Sequence, residues 1–244
     1  MKLGLGLGFS QSRGGLFLPS RTGKLLLLDT TIAGSVILNG SNVSQWTDQS
    51  GNGYHLTQAT GANQPLYVAS VAGLNNKPGI TATGAQVLAN AALSLPAPHT
   101  IYAVASPGSN AAYRVLFGPK TNAPAVSEVY GVITTGTNLI AQNGYAQAGT
   151  QLFAGPHAWC GVFSTTGNGN SMLFQDTFTT PDVSHAPSAG YTLMDFGVGN
   201  DYTGGDALAG PMSFLYALSG IDTLAQRKAM MQYLSAAFST PTPT

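Results

Sequence analysis

Charge is what this chain has least of. Charged residues make up 7% of its 244 positions, nine basic against nine acidic, for a formal net charge of +0, where an average soluble protein carries roughly 25%. The Lys and Arg residues are scattered and form no stripe, which excludes the electrostatic footprint of a nucleic-acid binder. A neutral, weakly charged exterior favours association over colloidal repulsion, so the composition predicts a subunit packed against neighbours. Cysteine is nearly missing too. Cys160 stands alone beside Trp159, so no internal disulfide forms, and it reads as a small core hydrophobe rather than a nucleophile.

Other absences narrow the chemistry. Glu128 is the sole glutamate, with no acid within several residues, whereas glycoside hydrolysis needs a facing pair of carboxylates; the expectation is a non-enzymatic protein. No serine sits in a Gly-x-Ser-x-Gly elbow. Gly4-x-Gly6-x-Gly8 precedes any strand and has the wrong spacing for a phosphate loop. His55, His99, His157 and His185 fall in separate predicted loops without the local pairing that zinc sites use. No run approaches the ~20 apolar residues of a membrane span. The N-terminus alternates Gly with Leu instead of carrying a continuous apolar core and cleavage site, so synthesis in a reducing cytoplasm without a secretion signal is expected.

Against these absences stand short β-prone runs at intervals of eight to twelve residues, with Gly, Pro or Asn between them. Leu25 to Leu28 is a short apolar run suited to a strand buried on both faces, and Thr100 to Ala105 is a strong central strand. Thr166-Gly-Asn-Gly-Asn170 signals a hairpin between Trp159 to Phe163 and Ser171 to Phe174. With no βαβ rhythm the chain is all-β. At the end, Thr223-Leu-Ala-Gln226 has capping-box spacing, and Leu224, Met231, Leu234 and Phe238 share one face of the helix predicted over 223–238. The predicted layout is an extended arm over residues 1–22, a sandwich over 23–240 that includes this helix, and a proline-bearing tail over 241–244.

The most informative stretch is Val43 to Leu56. It places Trp46, Asp48 and the turn Gly51-Asn52-Gly53 within a few residues. Glycines permit left-handed angles, and short polar side chains hydrogen-bond nearby amides, so the stretch predicts an inward Trp46, a turn stiffened by Asp48, and a strand from Tyr54.

Together with Leu26-Leu-Leu-Asp-Thr30, Gln64-Pro-Leu-Tyr67, Leu74-Asn-Asn-Lys-Pro78 and Val87-Leu88, this stretch resembles the first half of a laminin-G-like domain of the concanavalin A-like lectin/glucanase superfamily. Phe196-Gly-Val-Gly-Asn200, Leu208 to Ser219 and a closing helix with Arg227 resemble that family's last strands and final helix. The resemblance implies an antiparallel two-sheet jelly roll. It leaves the ligand open, since such domains bind sugars or proteins.

Two candidate sites follow. Asp195, Asn200, Asp201 and Asp206 gather oxygen ligands among glycines in a pattern that suits calcium; ordinary turn chemistry is the alternative. Tyr54, Tyr145 and Tyr202 sit in predicted loops rich in Asn, Asp and Gln, as glycan stacking platforms do. Three functions are weighed. The first is a structural subunit of a virus-like assembly, a bacteriophage head decoration or tail protein, joined to itself and other virion subunits through residues 1–22. The second is a carbohydrate-binding adhesion module touching host surface glycans, and the least favoured is a glycoside hydrolase.

Overall fold

The computed structural model describes residues 16–108, 114–119, 128–134, 137–142, 145–148, 154–165, 167, 169–186, 192–199 and 207–244. Among the described residues seventeen strands are followed by one α-helix. The first half holds β1 (Lys24–Asp29), β2 (Val36–Asn39), β3 (Asn42–Trp46), β4 (Leu56–Thr57), β5 (Leu66–Val71), β6 (Lys77–Thr81), β7 (Leu88–Pro96) and β8 (His99–Ala105). The second half holds β9 (Arg114–Pro119), β10 (Glu128–Thr134), β11 (Thr137–Gln142), β12 (Tyr145–Ala148), β13 (His157–Phe163), β14 (Ser171–Gln175), β15 (Val183–His185), β16 (Thr192–Val198), β17 (Pro211–Ser219) and α1 (Leu224–Phe238).

All pairings are antiparallel and fall into two layers. One layer runs β1, β17, β8, β13, β14, β15. The other runs β2, β3, β4, β7, β16, β9, β10, β11, β12. The β5–β6 hairpin links them at one end, since β6 pairs with β17 through Ile80 and Met212 while β5 meets β3 at Asn42 and Leu66. This is the all-β sandwich with a single closing helix that the sequence pattern predicts.

Period-two alternation explains how one layer serves two cores. Leu28, Leu215, Ala103 and Trp159 lie opposite one another on adjacent strands, and Leu28, Leu215 and Trp159 point into the inter-sheet core with Trp46, Leu88, Phe117 and Phe196. The next row, Leu27, Tyr216, Tyr102, Cys160 and Phe174, points the other way into a second core beneath α1. Both faces of β8 and β17 are therefore dry, so their sequences run apolar without alternating.

The helix begins where expected. Thr223 accepts from the Gln226 amide while the Gln226 side chain accepts from the Thr223 amide, satisfying two amides that the first turn leaves open. Its packed face is Met230, Met231, Tyr233, Leu234, Ala237 and Phe238. Leu224, predicted on that face, is exposed. His99, His157 and His185, predicted in loops, lie in β8, β13 and β15, and Tyr145, also predicted in a loop, is the first residue of β12. Polar residues at strand termini read as turn residues when the strand's pairing partners are unknown.

Residues 16–22 do not project from the body. Leu16 and Leu18 pack against the second core, and Arg21 pairs with Asp222. Residues 1–15 of the predicted arm lie outside the described residues.

Candidate functional site

Three polar clusters punctuate the sandwich. The first is the turn after β3. Trp46 is fully buried, and its indole N–H has no hydrogen-bond partner among the described residues. Asp48 Oδ1 accepts from the Leu27 amide at 3.0 Å and the Ser50 amide at 2.8 Å, while Oδ2 accepts from Ser50 Oγ at 2.8 Å and the Tyr54 amide at 3.0 Å. The Asp48 amide donates to His55 Nδ1 at 3.1 Å. Asn52 Nδ2 donates to the Lys24 and Leu25 carbonyls, tying the tip of the turn to the start of β1. Gly51 and Gly53 adopt φ of +96° and +78°, the left-handed region a side chain disfavours. Every polar side chain here serves the backbone, so the turn is a clasp between β3 and β1.

The second cluster lies under α1. Asp222 is buried, pairs with Arg21, and accepts from the Tyr102 hydroxyl at 2.7 Å. Its amide receives Thr100 Oγ1 as acceptor at 3.1 Å, and its carbonyl accepts from Arg227 Nη1 at 2.7 Å. Arg227 in turn lies 4.7 Å over the Phe174 ring. One Arg21 nitrogen and the Tyr216 hydroxyl have no hydrogen-bond partner among the described residues. Burial pushes the Tyr102 phenol far up, reinforced by Cys160 and Asp222. Burial likewise raises the Cys160 thiol, against an opposing pull from Arg227, and raises Tyr216 to about 12. A thiol held protonated is no nucleophile, so Cys160 is the core hydrophobe its setting beside Trp159 predicts.

These shifts carry a sign. Each group keeps its proton more tightly folded than unfolded, so its contribution is complete below the ordinary values of 9.0 for the thiol and 10.0 for the phenols and is lost as pH rises towards the folded values. Stability therefore falls above pH ~9, by roughly 1.4 kcal/mol per pH unit for each group titrating only in the unfolded chain. Thermal melts followed by circular dichroism at pH 8, 10 and 11 check this. A Tyr216→Phe chain should decline less steeply than the parent, and equal slopes would exclude Tyr216 as a contributor.

The third cluster pairs His157 Nδ1 with Asp176, whose other oxygen accepts from the Ala158 amide at 2.9 Å; His157 Nε2 lies 3.1 Å from the Ala154 carbonyl. The imidazole meets the Trp159 ring edge at 5.4 Å. Both ring nitrogens are engaged within the fold.

Of the predicted ligand residues, Tyr54 is half-buried and packs partly on the inter-sheet core. Asn200, Asp201, Tyr202 and Asp206 lie outside the described residues, as do the side chains of Asp195 and Tyr145. The calcium site is thus neither assembled nor dispersed. Among the described residues no three His, Cys, Asp or Glu side chains converge on a metal position. Sequence reading missed the Asp222 cluster, because Arg21, Thr100, Tyr102 and Asp222 are up to 201 residues apart; the one local sign was an aspartate immediately before the capping threonine.

Solved glycoside hydrolases share this β-sandwich fold. A GH54 α-L-arabinofuranosidase superposes with a TM-score of 0.60 at 14% identity, over 81% of this chain and 51% of that one. Domain 4 of AbnA, a GH43 extracellular arabinanase from Geobacillus stearothermophilus solved with arabinotriose, gives 0.59 at 11% identity, over 86% of this chain and 98% of that domain. A Trypanosoma rangeli sialidase in complex with an inhibitor gives 0.55 at 10% identity, over 90% and 34%. This chain therefore spans about half of the arabinofuranosidase and a third of the sialidase. No protein-family model and no curated protein matches it.

These neighbours correct the expectation of a non-enzymatic protein. Glycoside hydrolases carry this fold, and the sequence spacing of acids was a poor reason to exclude catalysis. Neighbouring strands lie about 4.8 Å apart whatever their distance in sequence, so facing carboxylates need not be close along the chain. Asp29, Asp48, Asp176 and Asp222 are engaged in internal hydrogen bonds or ion pairs.

Proposed function

We propose that this chain is a carbohydrate-recognition sandwich whose first ligand class is arabinofuranosyl oligosaccharides. The observation that carries the reading is coextension: the sandwich matches nearly the whole of an arabinanase domain solved in complex with arabinotriose. A second neighbour, an arabinofuranosidase complexed with arabinofuranosyl-α-1,2-xylobiose, matches over 90% of this chain. Tyr54, Tyr145 and Tyr202 are the stacking aromatics this reading assigns, since an aromatic ring face covers a sugar face at small entropic cost.

Titration calorimetry with arabinotriose and an arabinofuranosyl-substituted xylobiose, beside a broad glycan array, tests it. The expected result is millimolar or tighter binding weakened at least about tenfold by Tyr54→Ala, Tyr145→Ala or Tyr202→Ala. Silence across both panels sinks the reading, and release of reducing sugar redirects it to hydrolysis.

A narrower reading places the same sandwich on a virus-like particle, a laminin-G-like subunit meeting host glycans. Its support is the scarcity of charge and the Gly-Leu alternation of residues 3–8. Its test is whether the chain co-purifies with particles, and loss of that association on Leu3→Lys, Leu5→Lys and Leu7→Lys is expected.

A further inference from the structure

The edge at β2 is short, at four residues, and its ladder to β3 is bulged between Ile37 and Leu38, but it carries neither of two further guards of sheet edges, charge and proline. Among the described residues β2 pairs only with β3, through Ile37 opposite Gln45 and Leu38 opposite Val43, so its outer backbone edge has no ladder partner. Successive strand residues point to opposite faces, yet both Ile37 and Leu38 are exposed, at 47% and 44%. Leu66, beside Asn42 on the adjoining hairpin, is 43% exposed. Natural edges are blunted by lysine, proline or inward charge. Here no charged residue and no proline occurs from Thr30 to Thr47.

The missing features define the partner. An occupant must supply unpaired backbone donors and acceptors, apolar side chains on both faces, and no charge. Another β2 strand meets all three conditions by identity, and two neutral copies meet there without like-charge repulsion. We propose that β2 is a self-association edge, at which two copies of this chain pair β2 against β2 in antiparallel fashion across a two-fold axis. The two outer layers then become one continuous sheet. Four residues a side make a contact at the small end of specific interfaces, below about 1,200 Å², so the dimer is reversible and forms at micromolar to submillimolar concentration.

Sedimentation equilibrium of the full chain from about 1 to about 500 µM reads this directly, the range following from the size of the contact. The expected result is a monomer–dimer equilibrium, with slower amide exchange over residues 36–39 as concentration rises. Ile37→Lys with Leu38→Lys should leave the melting temperature unchanged, because both side chains are exposed, and hold the chain monomeric throughout. A parent chain that stays monomeric overturns the proposal, as does a double variant that still dimerises. Dimerisation abolished by Leu3→Lys, Leu5→Lys and Leu7→Lys with β2 intact overturns it too, and identifies the N-terminal segment as the occupant. Sugar binding is read separately by calorimetry, so either idea fails without the other.

Discussion

Asp222→Ala should lower the unfolding free energy by about 3–5 kcal/mol, because it strands the Arg21 guanidinium in a nearly dry pocket and removes the acceptor of the Tyr102 hydroxyl. At this chain length that is a drop in melting temperature of about 10 °C. The loss comes from an uncompensated charge more than from the pair's own attraction, so removing both partners should cost less than removing Asp222 alone. Thermal melts of Asp222→Ala, Arg21→Ala and the double variant form the cycle that decides it. A double variant as unstable as the sum of the singles would mean that Arg21 and Asp222 act independently. The same cycle reports on the N-terminal strap: if Arg21 pins residues 16–22 to the second core, proteolysis before Lys24 should accelerate in either single variant.

Asp48→Ala should cost about 3 kcal/mol. It deprives the Leu27, Ser50 and Tyr54 amides of their shared acceptor, and the buried Leu27 amide has the least recourse to water. Asp48→Asn keeps one acceptor oxygen and should cost about half as much. Denaturant unfolding measures both, and an alanine variant within about 0.5 kcal/mol of the parent would show that the clasp is ornamental. Amide exchange at Leu27 and Tyr54 adds a local readout, since the two amides belong to different segments that both donate to this carboxylate.

The clasp was the part of the molecule most open to reading in advance. Apart from the Leu27 amide, Asp48 and Ser50 act on amides within six residues, and Gly51 and Gly53 adopt positive φ because the turn is tight. Local chemistry of this kind is written in consecutive residues. The capping box at Thr223 and Gln226 was legible for the same reason. By contrast Leu95, fully buried within β7, and His99, fully buried in β8, lie in a segment that Pro96 and Pro98 make look like a simple break. Their burial depends on β16 and β13 arriving beside them from far along the chain, Leu193 opposite Leu95 and Phe163 opposite His99.

The candidate sites divide along the same line. Aromatics and oxygen ligands can be nominated by composition, as Tyr54 and Asp195 were, but a site is a convergence in space. No single segment records that Arg21, Tyr102, Cys160 and Asp222 share one pocket. The exclusion of catalysis failed on that point: it weighed how acids are spaced along the chain, whereas the sheets set which acids meet.

By itself the sequence determined the strand class, the neutral surface, the β3 turn and the closing helix, each a property of periodicity or of neighbouring residues. The tertiary structure alone decided that β8 and β17 are buried on both faces, that residues 16–22 are held by an ion pair, and that among the described residues β2 pairs on one side only. The physical reason is that burial and pairing are set by what strands distant in sequence bring to one another, and in an antiparallel sandwich most contacts are of that kind.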